Sequence, residues 1–152
     1  MDLRPLHYQF PGTAAAGQYD WDANWLVVRG GVRLPDGRTW SFSDPCLTTW
    51  EARSLGDWLR GVVAGDVEPT DFGGKGEEAL MVFTEPNLAL SLAARQHESA
   101  VVRVHFSLES RPPWLGQDVD LFDFFVGLDV PLGGLSAAVD DWERELSSFP
   151  AR

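Results

Sequence analysis

The residues able to do chemistry are few and scattered. Three histidines, His7, His97 and His105, and one cysteine, Cys46, are the candidates for metal ligation or nucleophilic catalysis. Metal sites need clustered His, Cys or carboxylate ligands at short spacings. No histidine here stands in a His-x3-His or Glu-x-x-His arrangement, so each reads as an isolated surface or turn residue, and no metal is expected. Cys46 with His105 would be a minimal nucleophile and base. Cys46, however, follows Asp44-Pro45 at a strand-to-helix junction, where a buried structural thiol is the ordinary occupant. Gly73-Gly74-Lys75-Gly76 has the outline of part of a phosphate-binding loop, but it lacks the first glycine at the required spacing. Gly76 also stands where Ser or Thr would hold the metal. Asp71-Phe72-Gly73 matches the kinase metal triplet in letters alone, without its companion motifs. Carboxylates are so abundant that no pair stands out as an acid/base couple. The expectation is a protein that is not an enzyme and carries no cofactor.

The elements that would position such residues follow from hydrophobic periodicity. Leu3 to Phe10 reads as a first strand, closed by Pro11-Gly12. Thr13 to Gln18 reads as a loop. Asn24 to Leu34 alternates, with Leu26, Val28, Val32 and Leu34 on one side and Trp25, Val27, Arg29 and Arg33 on the other; Gly30-Gly31 suggests a bulge or bend. Pro35-Asp36-Gly37-Arg38 predicts a hairpin turn into a strand over Thr39 to Asp44. Thr48 and Glu51 have capping-box spacing, and Leu55, Trp58, Leu59 and Val62 form one helical stripe ended by Gly65. Pro69 to Glu78 reads as a mobile glycine-rich loop. Four strands follow over Ala79 to Thr84, Leu88 to Arg95, Ala100 to Glu109 and Asp120 to Val130. A second helix, with Leu135, Val139, Trp142 and Leu146 as its stripe, ends before Phe149-Pro150. The expected fold is α+β: a curved, mainly antiparallel sheet with two amphipathic helices packed on one face, with a two-sheet sandwich as the alternative.

The 152 residues suit a single domain, 1–152, and its seven Trp and nine Phe can fill one core. Twelve basic residues against 23 acidic give a net charge of −11. Such a chain repels nucleic acid and anionic membrane surfaces and attracts basic partners. The N-terminal residues show no continuous apolar run, no stretch approaches the ~20 residues of a membrane helix, and a lone cysteine forms no internal disulfide. The cytoplasm is the expected compartment.

The strands place Arg29, Arg33, Thr39, Ser41, Arg103, His105, Ser107, Glu109, Asp123 and Asp129 on the side away from the helices. The bland reading is a solvated face. Phe125 points to an interface, because the alternation sets an aromatic among polar groups there. The C-terminal third is the most acidic. From Asp118 to Glu145, the acids Asp118, Asp120, Asp123, Asp129, Asp140, Asp141, Glu143 and Glu145 are offset by Arg144 alone. The candidate partner-binding set is therefore Asp118, Asp120, Asp123, Phe125, Asp129, Asp140, Asp141 and Glu143, with charge speeding encounter and Phe125 as anchor.

Several segments together resemble the WapI-like immunity proteins of bacteria. They are Asp22-Ala23-Asn24-Trp25-Leu26-Val27-Val28, the Trp40-Ser41-Phe42 strand, Asp44-Pro45-Cys46-Leu47-Thr48-Thr49-Trp50-Glu51 before a helix with Trp58-Leu59, Phe83-Thr84-Glu85-Pro86-Asn87-Leu88, and Phe149-Pro150. The resemblance covers most of the chain, and its motifs mark a fold without marking chemistry. It implies a non-enzymatic protein that binds and neutralises the toxic domain of a cognate bacterial toxin. Toxins in that setting include RNA-cleaving domains, which tend to be basic. Two other readings compete: a small enzyme or ligand binder using a pocket between sheet and helices, and a scaffold subunit. A deep pocket with convergent polar groups would favour the former.

Overall fold

The computed structural model describes residues 1–10, 12, 20–71, 80–116 and 118–152. The Gly73–Gly76 motif, most of the predicted Pro69 to Glu78 loop and the Thr13 to Gln18 loop lie outside the described residues. The fold is α+β with antiparallel strands and two helices. The strands are β1 (Asp2–Tyr8), β2 (Trp25–Arg33), β3 (Thr39–Thr48), β4 (Met81–Val82), β5 (Leu88–Arg95), β6 (Ser99–Phe106) and β7 (Phe125–Pro131). The helices are α1 (Thr49–Ala64) and α2 (Leu132–Leu146). The strands divide between two sheets, β1-β2-β3 and β4-β5-β6-β7, with every pairing antiparallel.

Local chemistry explains the element ends. In the β2–β3 turn, the Gly37 N–H donates to the Leu34 carbonyl at φ 89°, and Asp36 accepts from the Arg38 N–H. Thr48 and Glu51 cap α1 reciprocally, and Glu51 also accepts from the Thr84 N–H at 2.6 Å, tying the helix start to the segment before β5. Burial alone would raise the Glu51 pKa, but the N–H groups of Thr48 and Thr84 hold its carboxyl below the usual range. Gly65 at φ 89° stops α1, and Arg95 on β5 donates to the Val62 and Val63 carbonyls at that helix end.

Gly30-Gly31 forms no bulge. The register of β2 shifts between Leu26 and Val27 instead. The reason for Gly30 is steric: a Cβ there would stand 2.1 Å from Phe42 Cε1, so the ring of its β3 partner occupies the space. Phe42 and Trp40 then meet Phe106 of β6 edge-on, joining the two sheets in one core.

Both helices cover the inner side of the strands. Trp142 of α2 is 7% exposed and its Nε1 donates to the Ala52 carbonyl of α1 at 2.8 Å, beside Gly56. Trp58 is half-buried and packs on the same core. Residues 150–152 return to the start of the chain. The Tyr8 hydroxyl donates to the Pro150 carbonyl, and the fully buried Asn24 bonds both the N–H and the carbonyl of Arg152.

Candidate partner-binding surface

β7 is an edge strand of the four-stranded sheet, and its two sides differ. Phe124, Val126, Leu128 and Val130 are half-buried toward the core, while Asp123, Phe125, Gly127 and Asp129 are exposed. Phe125 is 39% exposed and lies under the Arg103 guanidinium at 5.7 Å. Asp118 and Asp120 are exposed in the connection leading to β7. Strand pairing begins at Phe125, later than the predicted Asp120, because the chain before it turns: Phe122 has φ 67°. That uncommon conformation is held from both sides. The Phe122 N–H donates to Ser107 Oγ at 2.8 Å, and its carbonyl accepts from His105 Nδ1 at 2.7 Å.

His105 corrects the sequence reading. It is not a surface residue; it is fully buried, as are Ser107 and Ser91. With Nδ1–H donated to Phe122, Nε2 accepts from Ser91 Oγ at 3.0 Å. The alternation correctly puts His105 on the side away from the helices. That side is covered here: Phe125 tilts over the imidazole at 5.2 Å, and Arg103 reaches past Ser91 to the Thr70 carbonyl. Burial pushes the His105 pKa down, the Phe122 carbonyl opposes this, and Arg103 adds to it. Ser91 and His105 resemble a catalytic dyad in letters, but both are sealed from solvent. Leu108, in the predicted Ala100 to Glu109 strand, lies beyond the end of β6 and is 40% exposed at φ 49°.

The remaining acids sit elsewhere. Asp140, Asp141 and Glu143 lie on the outer side of α2, across the sheet from Phe125, and they are paired. Arg60 of α1 holds Asp140 at 2.9 Å and Glu143 at 2.5 Å, Arg144 holds Asp141, and Arg4 meets Glu145 at 3.7 Å. The predicted acids thus split into an ion-paired group on α2 and a group at β7 that has no ion pair among the described residues.

Sequence reasoning missed a second acidic feature. Asp22, Asp44, Glu85 and Glu109, with Phe10 and Trp25, line a cleft of about 420 Å³ that has no basic side chain among its described residues. Burial and the neighbouring Glu109 raise the Asp44 pKa, opposed by the Asn87 amide. These acids come from four separate segments, so no local pattern marks them.

Neither Cys46 nor the interior offers catalytic geometry. Cys46 is fully buried, and burial with the nearby Asp44 pushes its thiol up to about 12. A cavity of about 420 Å³ between the helices and the inner sheet face is walled by Leu55, Leu90, Val102, Leu128, Leu135 and Trp142, and the charged residues at its mouth are paired with one another. Among the described residues no group of His, Cys, Asp or Glu could hold a metal ion, and no helix is long and apolar enough to cross a membrane. No curated protein was found to match the chain. A family model does: the immunity protein WapI-like family matches residues 1–150 of the 152, and the chain belongs to that family.

Proposed function

We propose that this protein neutralises a cognate toxin domain by binding it, without chemistry of its own, and that the partner is basic and meets the outer side of β7. Membership of an immunity family is the single observation that carries the neutralising role. Immunity proteins are generally non-enzymatic, and the buried thiol, the sealed Ser91–His105 pair and the apolar cavity agree with that. The basic character of the partner, including an RNA-cleaving one, is supported by the net charge of −11. Asp123 and Asp129 flank Phe125 there, whereas the α2 acids already have cationic partners.

The test is binding kinetics with the toxin domain that a neighbouring gene encodes, at low and high salt. Asp123→Lys with Asp129→Lys is expected to slow association several-fold, leaving thermal stability unchanged, because exposed charges act over a Debye length of ~8 Å. Phe125→Ala is expected to speed dissociation. An association rate indifferent to salt and to charge reversal at β7 overturns this placement. The acidic cleft supports a second contact. If Glu85→Lys with Glu109→Lys slows association while the β7 reversal does not, the partner docks there.

A further inference from the structure

The phase of the β6–β7 ladder shows what the open side of β7 offers. At its ends, the Phe106 N–H donates to the Phe124 carbonyl at 2.9 Å and the Leu132 N–H to the Glu98 carbonyl at 2.8 Å. Bonded and non-bonded positions alternate in an antiparallel pair. Val126, Leu128 and Val130 therefore bond to β6, while Gly127 and Asp129 turn their N–H and carbonyl groups outward. Both residues are exposed, and among the described residues no hydrogen bond reaches those outward groups.

The row is regular. β6 and β7 pair without a register shift, and a Cβ at Gly127 would meet only Val101 Cγ1, at an ordinary 3.7 Å, so a side chain there leaves the outward groups in place. Pro131, which has no N–H, ends the row.

We propose that the toxin domain docks by adding an extended strand to this edge, its main chain bonding Gly127 and Asp129 and its lysines or arginines alternating toward the acids of β7. This rests on the neutralising function proposed above and adds its mode. The occupant is basic because Asp123 and Asp129 share the outer face and because Glu98 and Asp129 line a shallow groove of about 800 Å³ where the strand ends. A second copy of this chain is disfavoured, since two chains of net charge −11 repel.

Gly127→Pro removes one outward N–H and keeps every bond to β6, a position where an edge strand accepts proline. Gly127→Ala keeps the N–H and serves as control. With the toxin domain from the neighbouring gene, Gly127→Pro is expected to weaken binding at least tenfold, roughly the loss of a main-chain bond and its neighbours, and Gly127→Ala less than about threefold. Amide hydrogen exchange on the wild-type complex gives an answer even if the proline variant misfolds: Gly127 and Asp129 must become protected on binding. Wild-type affinity in a folded Gly127→Pro, or unchanged exchange at both amides in the complex, overturns strand addition and leaves neutralisation standing. If the wild type does not bind the toxin domain, neutralisation of that toxin falls instead. Strand addition is then read with a short peptide of alternating lysine and valine. Protection of the two amides upholds it, and free exchange overturns it.

Discussion

His105 shows how one side chain can set the shape of a surface it does not reach. Its ring holds Phe122 in a left-handed conformation on one side and Ser91 on the other, directly beneath Phe125. Loss of the ring would take the donor from the Phe122 carbonyl, leave the Ser91 hydroxyl with Arg103 alone at 3.5 Å, and open a cavity. His105→Ala is expected to cost about 3 kcal/mol, read as a lower urea midpoint. The pKa shift also fixes a pH dependence. The folded value lies below the unfolded one, so the unfolded chain binds more protons between the two. This contribution is complete above about pH 6.5 and is lost as pH falls from there toward the depressed value. Urea midpoints measured from pH 7.5 downward should fall, and His105→Gln should flatten the curve in that window. The sequence showed the side of the strand on which His105 lies. It did not show that Phe125, Arg103 and the chain at Thr70 cover that side, because alternation reports direction and says nothing of what arrives from elsewhere.

At the scale of elements, what was legible was what is local. The Thr48–Glu51 cap, the Gly65 stop, the turn at Gly37 and both helical stripes depend on residues within a few positions of one another, and all form where expected. Gly30 was visible as a glycine inside a strand, but its cause lies on β3, which pairing alone brings near. Gly30→Ala is expected to cost about 1–3 kcal/mol by forcing a methyl against Phe42, and Phe42→Leu in the same chain should restore part of it. A thermal-unfolding double-mutant cycle measures the coupling; additive effects would mean the contact is not the cause. Trp142→Ala, which empties the α1–α2 contact and removes the indole hydrogen bond to the Ala52 carbonyl, is expected to cost about 3–5 kcal/mol, and Trp58→Ala less, because Trp58 is only half-buried. The division into two sheets and the acidic cleft join segments far apart in the chain, and no periodicity records such meetings.

Across the whole molecule, the acids are sorted by company. Those on α2 are matched with Arg60 of α1, Arg144 of α2 and Arg4 of β1; those at β7 and in the cleft stand without ion pairs among the described residues. Exposed pairs contribute little to stability. Arg60→Ala should therefore lower the melting temperature only slightly, while leaving association with a basic partner unchanged or faster. Chromatography at rising salt and calorimetry of that variant would separate the two effects.

Cys46 gives the molecule a built-in reporter of its own opening. It is the sole thiol, fully enclosed, and its acidity is suppressed while the fold stands. A thiol reagent can therefore react only during excursions that expose the β3–α1 junction, and the labelling rate counts those excursions. Any molecule whose site is lost in those excursions must slow the count by mass action. A toxin domain, a peptide or a stray ligand for the apolar cavity can thus be sorted by one stopwatch into those whose site opens with the junction and those whose site does not.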